Sequence, residues 1–108
     1  MNEQPAYIND QELNDAANAG HYILKLFVTG ASPNSIRAIS NLKQICETHL
    51  KENYSLEIID VYQNESIAET EQLLALPLLI KKMPSPEKRL IGDMSDYDKV
   101  LRGLGITV

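Results

Sequence analysis

The sequence predicts an α/β fold with the element order β-α-β-α-β-β-α. An apolar run at residues 22–29, rich in β-forming side chains, is typical of a strand covered on both faces. A helix-length segment and a second β-rich run follow it, and a strand–helix–strand unit of this size favours parallel, right-handed pairing. At 108 residues the chain fits one domain, which we assign to 22–108, after a polar extension at 1–21.

The first helix has the clearest periodicity in the chain. Ser32 is a suitable N-cap, and Pro33 fits the first helical turn without losing a needed hydrogen bond. Apolar residues then recur at spacings of three and four, which predicts one buried stripe. The stripe consists of Ile36, Ile39, Leu42, Ile45, Cys46 and Leu50. The next strand is predicted at 54–62.

The second half contributes shorter elements. Asn64 is the predicted cap of a helix over 65–74, which ends before Pro77 because a residue preceding proline disfavours helix. Strands are predicted at 78–80 and 90–91, and the proline-containing turn at 83–87 makes them antiparallel. A capping box at 95–98 predicts a last helix through Leu101, closed at Gly103. The complete order is the thioredoxin-like arrangement.

Composition excludes several classes of function. A net charge of −5 provides no global attraction for phosphate backbones, so nucleic acid is not an expected partner. The longest apolar stretch, at 73–80, is far shorter than the roughly 20 residues that span a bilayer, so no membrane segment is expected. A single cysteine excludes an intrachain disulfide, and no secretion signal is recognisable, which predicts a cytoplasmic location.

The start of the first helix is where thioredoxin-like enzymes carry their reactive Cys-x-x-Cys motif. This chain has Ser32-Pro33-Asn34-Ser35 there, and a serine hydroxyl lacks the acidity and redox couple of a thiol. We interpret Ser32 as a helix cap; the alternative is a serine that binds a thiol substrate, as in glutathione-dependent enzymes. Cys46 lies on the apolar stripe and is predicted to be a core residue.

Other reactive side chains form no recognisable constellation. His21 and His49 have no partner at zinc-ligand spacing, and no phosphate-binding glycine motif is present. Four aspartates could in principle act as acid–base groups, but they form no compelling pair. They are Asp60, Asp93, Asp96 and Asp98. The sequence therefore predicts no catalytic, cofactor or metal site, and Pro77 is either a helix stop or a cis-proline beside the third strand.

Several separated motifs resemble the KaiB family, small proteins of the bacterial circadian clock. The segment 22–30 with 32–39 resembles the family's opening, and 59–61, 76–77, 89–93 and 99–101 continue the match in order and spacing. The resemblance covers about 22–104. It implies a regulatory protein that catalyses nothing itself, binds the ATPase KaiC and alters its phosphorylation cycle.

The resemblance also implies a partner-binding surface. In the family, the helix after the second strand docks on the ATPase, which corresponds here to the segment containing Gln63, Ile67, Ala68 and Gln72. Three cations, Lys25, Arg37 and Arg89, match cationic positions of the family and would supply charged contacts. The alternative for these cations, that they are solvated or satisfy helix ends, stays open.

The family further implies a change of fold in the second half, between the thioredoxin-like form and an oligomeric form, here a dimer or tetramer. Residues 73–83 are ambiguous between helix and strand, which is compatible with two packings of similar free energy. Gly103 and the prolines Pro77, Pro84 and Pro86 are the positions assigned to this switch.

Three hypotheses therefore remain at this point. The first is a KaiB-type regulator that serves a circadian clock or a clock-derived stress or signalling system, with a KaiC-like ATPase or other clock or signalling proteins as partners. The second is a thiol- or glutathione-dependent enzyme that uses Ser32 or Cys46. The third is a structural oligomer, because a small sheet must protect its edges.

Overall fold

The computed structural model describes residues 21–63, 65–70 and 75–106. Seven elements lie within these ranges, in the predicted order β-α-β-α-β-β-α. They are β1 (Tyr22–Val28), α1 (Pro33–Ile45), β2 (Tyr54–Asp60), α2 (Glu65–Thr70), β3 (Leu78–Met83), β4 (Lys88–Ile91) and α3 (Tyr97–Leu104). A π-helical turn, Cys46–Leu50, extends α1 and ends at Lys51, which has a positive φ of 54°.

The four strands form one mixed sheet in the order β2-β1-β3-β4. Strand β1 pairs in parallel with β2, and the connection between them is α1, as the strand–helix–strand pattern predicts. On its other side β1 pairs antiparallel with β3, and β3 pairs antiparallel with β4. β1 is therefore central, and its continuous apolar sequence is explained by neighbours on both edges and packing on both faces.

The two faces of the sheet carry separate apolar clusters. Leu24, Leu26 and Val28 of β1 pack with the buried faces of α1 and α3. Phe27 points the other way and packs with buried residues of β2 and β3, and Ile67 of α2 lies against this second cluster. Because alternate residues of a strand face opposite sides, β1 contributes to both clusters and joins them into one domain.

Most of the predicted stripe on α1 is buried, but the prediction for Ile36 is wrong. Leu42, Ile45 and Cys46 are fully covered, whereas Ile36 is 55% exposed. The inward position of the first turn is taken by Ser35, which is completely buried. Successive helical residues are rotated by about 100°, so burial of Ser35 turns the next side chain outward.

The boundaries of α3 differ from the prediction at both ends. Its N-cap is Asp96, whose Oδ1 accepts a hydrogen bond from the Lys99 N–H at 3.2 Å, so the capping box that starts at Ser95 is not formed. The helix does not end at Leu101, and Gly103 does not close it. It continues to Leu104 and is closed by Gly105, whose φ of 77° suits glycine.

The remaining boundaries shift by a few residues. β2 ends at Asp60, two residues before the predicted end, while β3 and β4 are longer than predicted. The peptide bonds before Pro77, Pro84 and Pro86 are cis. The predicted cap Asn64 and residues 71–74 lie outside the described residues. Of the helices in the described ranges, none has the length and apolar character needed to cross a membrane.

Candidate protein-binding surface

The N-terminus of α1 is held by a small network of hydroxyl groups. Ser32 Oγ accepts a hydrogen bond from the Ser35 N–H at 3.2 Å, as predicted for an N-cap, and donates to Ser35 Oγ at 2.9 Å. Ser35 Oγ also accepts from the Thr29 N–H at 3.1 Å. These serines satisfy the backbone at the position where thioredoxin-like enzymes carry their thiols, so the local geometry is that of a helix cap.

The cysteine thiol is remote from solvent. Cys46 is completely buried in the cluster between α1 and the sheet. Burial, with a smaller effect from Glu47, raises the pKa of the thiol from 9.0 to about 12. Since the thiolate is the nucleophile, this environment suppresses its reactivity. In the described ranges no group of three or more His, Cys, Asp or Glu side chains could hold a metal ion.

Asp60 joins the loops that follow β1 and β2. Its Oδ1 accepts hydrogen bonds from the Gly30 N–H at 3.0 Å and from the Tyr62 N–H at 2.9 Å. The Tyr62 ring lies over Gly30, where a Cβ would approach Tyr62 Cδ2 to 3.4 Å, and the φ of Gly30 is 56°. The ring is nevertheless 71% exposed. Asp60 is thus an organising residue that fixes the turn after β2, where the Tyr62 ring lies over Gly30.

The sheet face that packs on α2 carries a row of charged side chains, and we call it the α2 face. Glu57, Lys25, Ile80 and Arg89 are successive partners across β2, β1, β3 and β4. Lys25 and Arg89 are therefore separated by one strand, with Cα atoms about 10 Å apart at ordinary strand spacing. Both lie on the same side as Ile67, which brings three residues predicted by the resemblance onto one surface.

The other predicted contact residues are distributed as follows. Gln63 is exposed in the turn after β2. Ile67 is half-buried and packs inward, so its main contact in this structure is with the core. The backbone of Ala68 lies in α2, but its side chain and all of Gln72 are outside the described residues.

Arg37 lies on the opposite side of the sheet, on α1, and is not joined to Lys25 and Arg89. Its Nε is 3.1 Å from Asp93 Oδ2, and its Nη2 donates to Asn34. Arg89 in turn lies 3.9 Å from Glu87. Two of the three predicted cations therefore form ion pairs within the chain, and Arg37 fits the alternative of a structural role.

Two large side chains, one on the α2 face and one in the turn after β2, are exposed although the sequence pattern does not indicate it. Tyr62 was placed inside the second strand, whereas it lies in the turn beyond Asp60. Ile91 of β4, the register partner of Leu78, is 56% exposed on the α2 face. The signal for Tyr62 is its position two residues after Asp60, because an aspartate side chain can accept a hydrogen bond from the backbone two residues on.

Sequence comparison identifies the relatives of this chain. Residues 25–106 match the family model described as the KaiB domain. The circadian clock oscillator protein KaiB of Picosynechococcus sp. is 51% identical over 85 residues, which are 79% of this chain and 82% of that protein. KaiB of Synechococcus elongatus is 49% identical over 85 residues, covering 79% of this chain and 83% of that protein.

Solved structures agree with the fold. The N-terminal domain of Synechococcus elongatus SasA has a TM-score of 0.66 at 22% identity, over 97% of this chain and 93% of that domain. The thioredoxin Deadhead of Drosophila melanogaster has a TM-score of 0.64 at 13% identity, over 94% and 97% of the two chains. These likenesses show a thioredoxin-like fold, and the match to the KaiB domain, with about half of the residues identical to clock KaiB proteins, places the chain in the KaiB family.

Proposed function

We propose that this chain is a regulatory binding protein of the circadian-clock type, which binds a KaiC-type ATPase and alters its phosphorylation state. The observation that carries the proposal is the match of residues 25–106 to the KaiB domain, with 51% identity to a clock oscillator protein. The partner and its phosphorylation are inferred from the family.

The geometry supports binding better than thiol chemistry. The hydroxyls at the start of α1 are engaged in backbone hydrogen bonds, and the Cys46 thiol is buried with a raised pKa. By contrast the α2 face presents the exposed Arg89 and Ile91, and Tyr62 is exposed in the turn after β2; aromatic residues and arginine are enriched at protein interfaces. We infer that Gln63, Lys25 and Arg89 contribute to the contact with the ATPase.

A titration tests the partner. The purified chain is incubated for several hours with a KaiC-type ATPase, complex formation is measured by interferometry, and the phosphorylated fraction of the ATPase is followed on gels. We expect a complex and a changed phosphorylation time course. A chain that stays unbound after this incubation, at concentrations well above those in cells, would contradict the partner assignment.

Paired variants test the surface. Tyr62→Ala and Arg89→Ala together remove an exposed ring from the turn after β2 and a charge from the α2 face, and we expect affinity to fall at least tenfold, about 1.4 kcal/mol. Lys43→Ala is the matched control, because Lys43 is exposed on α1 at the other side of the sheet. Equal affinities for the surface variant and the control would refute this surface while leaving the partner assignment intact.

The change of fold and the self-association implied by the family belong to the same proposal. We infer a second packing of the residues after 63, populated in a dimer or tetramer, in exchange with the thioredoxin-like form. Amide NMR of the isotopically labelled chain over a dilution series would give two sets of peaks for residues 64–108, with a population ratio that depends on concentration. A single set of amide peaks that does not change with concentration would contradict the inferred exchange between two packings.

A further inference from the structure

Strand β2 is an edge of the sheet within residues 21–63, 65–70 and 75–106, where its neighbour is β1. The Tyr22 N–H donates to the Asn53 carbonyl at 2.8 Å, and the Val61 N–H donates to the Val28 carbonyl at 3.0 Å. Alternate residues of a strand direct their backbone groups to the same neighbour, so every second residue from 53 to 61 is bonded to β1. The residues between them, whose backbone N–H and C=O groups point away from the sheet, are Tyr54, Leu56 and Ile58.

The side chains of these three residues form the floor of a groove beside α1, which we call the β2 groove. Tyr54 and Leu56 pack against the apolar cluster under α1, and Ile58 is 37% exposed. Lys43 and Glu47 of α1, both exposed, line the other side of the groove. An added strand could therefore bond the edge with its backbone and place apolar side chains in the groove.

The two charges of the β2 groove follow the direction of the strand. Glu47 accepts a hydrogen bond from the Tyr54 hydroxyl, which places this carboxylate at the start of β2. Because α1 connects two parallel strands, it runs antiparallel to β2. Lys43 precedes Glu47 by about one helical turn and therefore lies toward Ile58. The groove thus has an acidic end and a basic end.

A second copy of β2, in antiparallel orientation, matches this groove. With Leu56 opposite its own copy, Tyr54 of each chain pairs with Ile58 of the other, so that apolar side chains face each other across the strands. The same two-fold axis places the acidic end of one groove opposite the basic end of the other. Lys43 of each chain then faces Glu47 of the second copy, at two equivalent places. Such self-complementarity is what a two-fold interface requires.

The neighbouring registers of this pairing are less favourable. A two-fold axis at Glu57 places this residue opposite its own copy, and like charges directly opposite each other are destabilising. An axis at Ser55 places Ile58 opposite Glu52, which is exposed and charged. The register centred on Leu56 gives all three outward residues an apolar partner.

We propose that two copies of this chain, both in the thioredoxin-like form, associate by antiparallel pairing of β2 with β2, with two Lys43–Glu47 contacts across the axis. The two sheets become one continuous sheet, and the α2 face of each copy stays open. This dimer differs from the self-association inferred above, which involves a second packing of the residues after 63. Its failure would leave the proposed function unaffected.

Charge reversal of the two helix residues tests the contact. Sedimentation velocity of the full chain over a dilution series gives the dissociation constant of the dimer. We expect Lys43→Glu and Glu47→Lys each to raise this constant by about tenfold, because each reversal opposes like charges at both places. An equimolar mixture of the two variants is expected to associate about as tightly as the parent chain, because every contact across the axis again joins opposite charges.

A proline substitution tests the backbone pairing. Ile58→Pro removes an outward N–H that β1 does not use, and we expect it to abolish the dimer. Ile91→Pro is the matched control on the other edge strand, β4, and is expected to leave the dimer intact. Ile91 is 56% exposed, and the bond from the Gly92 N–H to the Pro77 carbonyl shows that the Ile91 N–H points away from β3. Circular dichroism checks that each variant is folded, and the exposed charge variants provide the test if Ile58→Pro does not fold.

Amide NMR distinguishes this dimer from the second packing. Pairing of β2 shifts the peaks of residues 54–58 with concentration, whereas the second packing gives additional peaks for residues 64–108. Three results would overturn the proposal. The first is a chain in the thioredoxin-like form that stays monomeric at every concentration. The second is a dimer with an unaltered dissociation constant in both charge variants, and the third is a mixture that associates no better than either variant alone.

Discussion

Arg37 on α1 and Asp93 in the loop before α3 form an ion pair, with 3.1 Å between Nε and Oδ2. The same loop is held by Asn41, whose Nδ2 donates to the carbonyl of Asp93 at 2.9 Å. Asp93 Oδ1 accepts from the Ser95 N–H at 3.0 Å. The position of the last helix is thus tied to α1 through one aspartate.

This aspartate gives a prediction on acid stability. Hydrogen bonds from Ser95, and then the Arg37 contact, lower the pKa of Asp93 below its ordinary 3.8. A lowered pKa in the folded state contributes stability above the unfolded-state value, and this contribution is lost as the pH falls through the folded-state value. We expect Asp93→Asn to flatten the loss of stability below about pH 4.

Urea unfolding followed by circular dichroism between pH 2.5 and 6 would measure this effect, with Asp98→Asn as the matched control in the first turn of α3. An unchanged pH profile in the Asp93 variant would show that the carboxylate is not coupled to folding.

Cys46 gives a prediction on stability at alkaline pH. Its folded-state pKa is raised to about 12 from 9.0, so the unfolded chain loses this proton first and stability falls as the pH rises above 9. The slope attributable to one thiol approaches 1.4 kcal/mol per pH unit. We expect Cys46→Ala to be less sensitive to pH between 8 and 10.5 in equilibrium unfolding.

The ionisation of Tyr54 also contributes to the pH dependence of stability and must be measured separately. A hydrogen bond to Glu47, followed by burial, raises the pKa of Tyr54 to about 12 as well. Tyr54→Phe is therefore the control, and the double variant should lose both contributions. A Cys46→Ala profile identical to that of the parent protein would contradict the assignment to the thiol.

The close packing of α3 on β4 gives a prediction on Gly103. A Cβ at this position would lie 2.6 Å from Leu90 Cδ1, so any added side chain displaces the leucine. We expect Gly103→Val to destabilise the fold by about 1–3 kcal/mol, as overpacking does elsewhere. Arg102→Val, at an exposed site one residue earlier, controls for the helix propensity of valine.

A double-mutant cycle identifies the cause. If the leucine is the obstacle, Leu90→Ala combined with Gly103→Val should cost less than the sum of the two single changes, measured by urea unfolding. If the losses of unfolding free energy are additive, Leu90 is not the source of the strain.

The start of α1 permits a gain of redox chemistry. Ser32 Oγ and Ser35 Oγ are 2.9 Å apart, so Ser32→Cys with Ser35→Cys places two sulfur atoms within bonding reach at a helix N-terminus. We expect this variant to form a disulfide with oxidised glutathione, seen as loss of two titratable thiols in denaturant. Ser32→Cys alone is the control, and a thiol count that stays at three after oxidation, Cys46 included, would contradict the prediction.

The sequence predicted the core elements because their signals are local. The apolar run of β1, the cap at Ser32 and the stripe from Leu42 to Leu50 each follow from neighbouring residues, and the structure confirms them. The failures have tertiary causes. Ile36 is exposed because Ser35 takes the inward position and accepts a hydrogen bond from Thr29, and Gly103 lies inside α3, where it packs closely on Leu90. Neither contact is visible in local spacing.

The spatial arrangement of the predicted contact residues follows only in part from the sequence. Lys25 and Arg89 were named as cations, but only the strand register shows that they lie one strand apart on the side of α2. The partner of Arg37 is Asp93, distant in sequence, and the exposure of Tyr62 depends on where β2 ends. Strand register, ion pairs between distant residues and the exact end of a strand depend on the tertiary structure, and local residue patterns leave them undetermined.

The central position of β1 divides the hydrogen bonding of the sheet into two parts. β2 joins it in the first half of the chain, while β3 and β4 are attached to the sheet through the single pairing of β3 with residues 23–27. Loss of the β1–β3 pairing would release the hairpin formed by β3 and β4 from the sheet and leave the β1–β2 pairing in place. Amide protons of β3 and β4 are therefore expected to exchange together, as one cooperative unit, and at a lower opening free energy than those between β1 and β2.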